Sequence, residues 1–308
     1  MDHRIVDVLI VGAGPAGLQA AVHAVRKKAS VLVLGKVENS AIYKAHVENY
    51  LCVEGVVDGA ELMRIALGQA TRFGVEVWPE DVLHIEQEEA LFAVRAESGR
   101  TVLARALILA TGTSRKKLKV KGEKELSGRG VSYCVDCDAN FYRGARVAVV
   151  GDESAAVDGA LTLTRYAAEV HLVCKELVVG GALAEQLAAS PVLVHKGVWP
   201  KEIAGEQAVT GLVLDSGETI PVDGVFIELG AKGAMELATT LGVMLDTETF
   251  SYIDTNKRQE TNIAGIYAAG DIAGPPWQMA KAVGEGCVAG WEAANYAARL
   301  KREGQAGE

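Results

Sequence analysis

Residues 5–17 read Ile-Val-Asp-Val-Leu-Ile-Val-Gly-Ala-Gly-Pro-Ala-Gly, and this stretch decides the fold. Ile5 to Val11 is a short β-branched run that breaks at Gly12-Ala-Gly-Pro-Ala-Gly17. Leu18 to Lys28 then carries small apolar residues on one helical face, and Val31-Leu-Val-Leu34 is a second buried strand. Strand, glycine turn, helix and strand in this order make a βαβ unit of the dinucleotide-binding kind. Bare backbone at Gly12 and Gly14 turns tightly and lets a diphosphate approach, which then rests on free N–H groups at the positive end of the helix. Pro15, Ala16 and Gly17 complete the candidate cradle.

The same pattern begins again at Arg146-Val-Ala-Val-Val-Gly-Asp-Glu-Ser-Ala-Ala156, with a helix expected to about Ala168 and a strand at Val170-His-Leu-Val173. This copy is damaged as a phosphate cradle. Glu153 stands where the second glycine belongs and Asp152 precedes it, so two carboxylates face a position meant for phosphate, and like charges repel. Strands are expected around Leu212 to Leu214 and Gly224 to Leu229, followed by Asn262-Ile-Ala-Gly-Ile-Tyr-Ala-Ala-Gly-Asp271 and an Ala-rich terminal helix. The expected fold is α/β, with two Rossmann-like three-layer domains. Residues 1–113 and 246–308 would form one domain, and residues 114–245 an inserted, degenerate NAD(P)-type domain that carries a dithiol.

With 308 residues, 49% of them hydrophobic, the chain can bury a sizeable core. A net charge of -9 argues against nucleic-acid binding, which needs a concentrated basic face. No apolar run reaches the roughly 20 residues of a membrane span. The start Met1-Asp-His-Arg-Ile lacks the order of a signal peptide, so a cytoplasmic location is expected.

Of the five cysteines, Cys52, Cys134, Cys137, Cys174 and Cys287, only Cys134 and Cys137 lie close together. That spacing and the odd count disfavour a disulfide-stapled secreted framework and favour a functional CxxC in a reducing compartment. Two such thiols can close a disulfide when the first lies at a helix N-terminus, where the dipole stabilises the nucleophilic thiolate. A zinc half-site is the alternative, but it needs a second pair at ligand spacing and the other cysteines are scattered. His46, His84, His171 and His195 show no ligand spacing either, and no metal is expected.

Four segments carry a resemblance across the whole chain: Gly12 to Gly17, Ala110-Thr-Gly-Thr113, Cys134-Val-Asp-Cys-Asp138, and Gly270-Asp-Ile272 with Gln278-Met-Ala280 following. In this order and spacing they resemble the low-molecular-weight thioredoxin reductases. The resemblance implies bound FAD, a homodimer and a thioredoxin-like protein as substrate. It places Asp271, after Gly270, at the ribityl or phosphate region of the flavin. Gln278, Met279 and Ala280 fall near the isoalloxazine, Asn49 of Glu48-Asn-Tyr50 in a turn beside the cofactor, and Ala110, Thr111 and Gly112 in the same site. It further implies that Cys137 faces the flavin, that Cys134, the more exposed cysteine, attacks the substrate disulfide, and that Asp138 serves as general acid.

Members that use NADPH follow a GxGxxA turn with a basic cluster that grips the 2′-phosphate. Here the matching residues are Gly151 to Ala156 and Val173-Cys-Lys-Glu-Leu177, and Lys175 is the one cation. A lone lysine beside Glu176 is a poor substitute for bidentate guanidinium groups. Leu34-Gly-Lys36, Lys44 to Tyr50 and Pro275 to Gly286, with Trp277 where the usual reductases carry arginine, resemble the ferredoxin-dependent flavin thioredoxin reductases. This adds Gly35, Lys36, Lys44 and Trp277 to the cofactor-binding candidates and makes ferredoxin the expected donor. Arg115-Lys-Lys-Leu-Lys-Val-Lys121 is a candidate docking patch for an acidic ferredoxin, with a solvated loop as the alternative reading. The rival functions are an NADH- or NADPH-dependent reductase, an oxygen-linked dithiol oxidase, and a flavin-binding sensor, which would not need the CxxCD.

Overall fold

A computed structural model of the chain describes residues 4–112, 117–230, 234–248 and 250–306. In chain order it runs β1 (Arg4–Val11), α1 (Pro15–Arg26), β2 (Val31–Leu34), β3 (His46–Val47), β4 (Val57–Asp58), α2 (Gly59–Arg72) and β5 (Glu76–Trp78). A hairpin of β6 (Val82–Glu88) and β7 (Leu91–Ala96) leads into β8 (Thr101–Leu109). Next come β9 (Val131–Ser132), α3 (Val135–Asp138), β10 (Arg146–Val150), α4 (Ser154–Leu163), β11 (Glu169–Cys174), α5 (Gly181–Ala188) and β12 (Leu193–Lys196). The strands β13 (Pro200–Gly205), β14 (Val209–Leu214), β15 (Thr219–Ile220) and β16 (Gly224–Ile227) precede α6 (Ala234–Thr240), β17 (Ile266–Ala268) and α7 (Met279–Ala306).

The chain divides into two compact units, one of Met1–Ala96, Arg100–Ser114 and Gly233–Glu308, the other of Glu97–Gly99 and Arg115–Lys232. The first is built on a sheet in the order β5-β2-β1-β8-β7-β6. β8 is long enough to pair with β7 through Thr101–Ala104 and with β17 through Leu107–Leu109, so the parallel part reads β5-β2-β1-β8-β17. Such strands are covered on both faces, which is why β2 is apolar at every position and β1 at every position but Arg4 and Asp7, rather than alternately. Val8, Ile10, Val33 and Ile108 face α1 and α7, while Leu9, Val11, Leu34 and Leu107 face a second core that includes Phe92, Leu237 and Val243. The sequence reading has this unit resuming at residue 246; Leu237, Ala238 and Val243 are already packed in its core.

The second unit repeats the parallel design in the order β12-β11-β10-β16-β9. One layer beside the sheet is helical, with α4 and α5. The other is the antiparallel sheet β13-β14-β15, whose Ile203, Leu212, Leu214 and Ile220 pack against Ala148, Val150, Val173 and Val225. α4 ends at Leu163, five residues short of the expected Ala168. The turn after it is fixed from outside, because Tyr166 O accepts the Gly144 N–H at 3.0 Å. Among the described residues no helix is long and apolar enough to cross a membrane.

Candidate functional site

In the first unit the motifs read separately from the sequence converge at the carboxyl ends of β1, β2, β8 and β17. This is the edge where parallel α/β sheets bind ligands. Gly12 has φ +114° and passes so close to β8 that an added Cβ would lie 2.3 Å from Ala110 O. At Gly17 a Cβ would lie 1.9 Å from Gly12 O, and at Gly35, φ +148°, 2.8 Å from Ala13 N. Gly14 is the N-cap of α1 and supplies no side-chain cap, while Pro15 occupies the first helical turn, where no N–H is needed. The helix thus presents its first N–H groups over bare backbone.

Thr111 Oγ1 is buried at this edge without a hydrogen-bond partner. A buried hydroxyl left so is costly unless a ligand completes it. The glycine cradle, the uncapped helix and the orphaned hydroxyl together fit the diphosphate and sugar portion of FAD. Thr113, the last residue of that motif, lies outside the described residues.

β17 leads into Gly270, φ +84°, where a Cβ would meet Ala16 Cβ at 2.9 Å, and then into a 3-10 turn at Asp271–Ala273. Burial pushes the Asp271 carboxyl up from the ordinary carboxylate range, with the Lys281 charge opposing. Lys281, on the first turn of α7, donates to Gly270 O at 2.8 Å and Gly274 O at 2.5 Å. It also pairs at 2.9 Å with Glu285, whose Oε2 accepts the Gly270 N–H at 2.9 Å. A lysine and a glutamate one helical turn apart therefore fix the turn that carries Asp271. Neither was singled out from the sequence.

Asn49 Nδ2 donates to Gln278 Oε1 at 2.9 Å, so two expected site residues 229 positions apart meet. Asn49 sits in the loop held by the β3–β4 hairpin, where Lys44 is exposed at the end of a short 3-10 turn. Trp277 is exposed, Met279 half-buried and Ala280 exposed. Lys36 is drawn into an ion pair with buried Asp81 at 2.9 Å.

In the second unit Cys134 and Cys137 form a disulfide. Cys134 is the N-cap of α3, and its Sγ accepts the Cys137 N–H at 3.1 Å. α3 is a single turn, so this local donor replaces the broad dipole expected from the sequence. The expected exposures are reversed: Cys134 is 7% exposed, whereas Cys137 is exposed. The cap residue is pinned inward, its N–H donating to Ser132 Oγ at 3.1 Å, and Cys137 lies on the outer side of the turn.

Ser132 Oγ also donates to Asp138 Oδ2 at 2.7 Å, tying the candidate acid to the strand that precedes the dithiol. Burial and the Asp138 charge both push the Tyr142 hydroxyl up, so this phenol stays protonated beside the carboxylate. Phe141, four residues beyond Cys137, is 82% exposed. Sequence reasoning missed Ser132 and Phe141. An apolar Phe three residues after CxxCD was the available signal for the second.

The second glycine turn is close-packed, since a Cβ on Gly151 would lie 1.9 Å from Glu228 O. Asp152 Oδ1 accepts the Lys175 N–H at 2.7 Å and the Glu176 N–H at 3.4 Å, and Asp152 O accepts the Val178 N–H at 2.7 Å. The Lys175 ammonium stands over the Trp199 ring, 5.3 Å from its centroid. Of the expected docking patch, Arg115 and Lys116 lie outside the described residues and Lys121 pairs with Glu202 at 2.7 Å. His171 and His195, expected to be ordinary, are hydrogen-bonded to each other at 2.9 Å across β11 and β12.

A pyridine nucleotide-disulphide oxidoreductase family profile matches residues 6–286. The thioredoxin reductase of Listeria monocytogenes is 36% identical over 97% of this chain and 96% of its own. Two solved structures are each 33% identical. The atypical thioredoxin reductase of Desulfovibrio vulgaris Hildenborough superposes with a TM-score of 0.84, covering 95% of this chain and 98% of that one. A ferredoxin-flavin thioredoxin reductase from Clostridium acetobutylicum superposes with a TM-score of 0.69 over 96% and 98%.

Proposed function

We infer the function from the family: the chain belongs to the pyridine nucleotide-disulphide oxidoreductases and, within them, to the low-molecular-weight thioredoxin reductases, and is an FAD-dependent disulfide oxidoreductase. The reading proposed here is that it reduces thioredoxin or a similar protein disulfide with electrons from ferredoxin. It works as a cytoplasmic homodimer, with the unit of Met1–Ala96, Arg100–Ser114 and Gly233–Glu308 holding FAD and the unit of Glu97–Gly99 and Arg115–Lys232 carrying the dithiol. Gly12 to Gly17, Gly35 and Ala110 to Gly112 hold the diphosphate end of the cofactor, Asp271 its sugar chain, and Asn49, Trp277 and Gln278 flank the ring. When bound, FAD supplies an electron-transfer centre that accepts single electrons and delivers pairs.

Two electrons and two protons open Cys134–Cys137 to two thiols. One thiolate attacks a sulfur of the substrate disulfide, giving a mixed disulfide and a leaving thiolate, which Asp138 protonates. The second cysteine displaces the first bond, re-forming Cys134–Cys137 and releasing the reduced substrate. Phe141 offers an apolar contact to the incoming protein.

One observation weighs against NADPH as donor: Lys175, the single cation where a 2′-phosphate clamp belongs, stands over the Trp199 ring. The Clostridium acetobutylicum relative supports the same choice. The test is anaerobic mixing of the holoenzyme with NADPH, NADH and photoreduced ferredoxin, following flavin absorbance and thioredoxin thiols. Bleaching and thiol release with ferredoxin alone are expected. Rapid bleaching by either nucleotide overturns the donor assignment, and thiol release that survives Cys134→Ser overturns the dithiol route.

A further inference from the structure

The two βαβ units of this chain can be compared position by position. Gly12 N–H bonds Leu34 O at 2.7 Å, and Gly151 N–H bonds Val173 O at 3.1 Å, so each glycine turn leans on the carboxyl end of its neighbouring strand. In this alignment Ala13 corresponds to Asp152, Gly14 to Glu153, and Lys36 to Lys175. In a dinucleotide fold the backbone just beyond the second strand, about 20 residues after the glycine turn, is where the adenosine ribose is bound. In the first unit a methyl group precedes Gly14 and leaves that region open. In the second a carboxylate reaches across it.

From this we propose that Asp152 is the residue that closes the second unit to nicotinamide dinucleotides of both kinds, by taking the Lys175 and Glu176 amides that would receive the ribose. The inference rests on the donor reading above and sharpens it, since loss of a 2′-phosphate clamp alone excludes NADPH but leaves NADH a ligand. Three contacts hold Asp152 in place. Its Oδ1 accepts the two amides at 2.7 and 3.4 Å, and its carbonyl accepts Val178 N–H at 2.7 Å, so the loop after β11 folds back onto the turn. Its charge is felt locally: burial, and then Asp152, push the Cys174 thiol up. A ribose would have to displace an ionised acceptor from a charge-assisted bond, and it offers only neutral hydroxyls in exchange.

The experiment uses FAD-loaded enzyme and measures NADH and NADPH binding by equilibrium dialysis, for wild type, Asp152→Ser and Asp152→Asn. Serine is too short to span to Lys175 N. Asparagine keeps an acceptor oxygen in the same place without the charge. The expected result is negligible binding of either nucleotide to wild type and Asp152→Asn, and NADH binding to Asp152→Ser at least about tenfold tighter, the worth of two freed donors. NADPH should gain less, because no cation is added. Retained turnover of thioredoxin with photoreduced ferredoxin establishes that each variant is folded. Wild type that binds NADH tightly overturns this inference together with the donor reading. A folded Asp152→Ser that gains nothing overturns the inference alone, and an Asp152→Asn that opens as far as serine shows repulsion, not occupancy, and overturns it too.

Discussion

Replacing Lys281 by methionine removes three interactions from one partly buried ammonium while keeping most of the apolar stem. The bonds to Gly270 O at 2.8 Å and Gly274 O at 2.5 Å disappear, as does the ion pair with Glu285. Both side chains are largely enclosed, Lys281 being 14% and Glu285 20% exposed, so the stranded carboxylate cannot recover full hydration. Breaking one partner of an enclosed pair costs about 3 kcal/mol, and the two carbonyls regain part of theirs from water. That is roughly a hundredfold in the opening equilibrium of the Asp271 turn. FAD release, followed by flavin fluorescence in a urea titration of the holoenzyme, should shift to lower urea by that amount. Lys281→Met combined with Glu285→Leu should lose less than the sum of the singles, with a coupling of about 1 kcal/mol or more. A Lys281→Met enzyme within about 0.5 kcal/mol of wild type, or strictly additive singles, would refute the clamp.

Asp7 is buried and bonded to Ser30 and Lys301; burial pushes its carboxyl up, but those partners together hold it below the ordinary carboxylate range. Its contribution is therefore complete above the unfolded value of about 4 and is lost as pH falls below that through the lower folded value, so Asp7→Asn should flatten the acid limb of stability. It should also cost about 2 kcal/mol at neutral pH, checked by denaturant titration across pH; an unchanged acid limb contradicts the ion-pair account. Phe141→Ala should raise KM for thioredoxin about tenfold with little change in kcat, and leave reduction of a small aromatic disulfide unaltered, since a burial loss of one exposed ring acts only on a large partner. Equal losses on both substrates would mean that Phe141 supports the dithiol turn itself.

Residues whose role is written in their own backbone chemistry were legible in the sequence. Gly12 and Gly17 announce a close approach because nothing else fits there, and the apolar runs of β1, β2, β10 and β11 announce strands covered on both faces. The pairing of Asn49 with Gln278 came through motif by motif and not as a contact, because nothing local links positions 229 residues apart. Lys281 and Ser132 were invisible for a different reason: their partners are main-chain groups or a shared carboxylate, and backbone carbonyls carry no residue code. The relative exposure of Cys134 and Cys137 was misjudged because it depends on which way a one-turn helix caps. The β13-β14-β15 layer was half read: its first strand opens Pro200-Lys-Glu202, which looks like a turn, and only packing against Ala148 and Val225 makes it a strand.

The seam between α1 and α7 sets a timetable for biosynthesis. Gly286 and Gly290 let α7 lie so close that an added Cβ would meet Ala16 O at 2.2 Å and Ala20 O at 2.1 Å. On the ribosome, however, α1 emerges about 250 residues before α7, a delay of roughly ten to fifty seconds at ordinary elongation rates. Through that interval the face of α1 meant for α7 stays uncovered, while every residue of the unit made of Glu97–Gly99 and Arg115–Lys232 is synthesised before α7 begins. The inserted unit is thus the first whose chain is complete, and the nascent N-terminal segment is the part of this protein that holdase chaperones have most reason to shield.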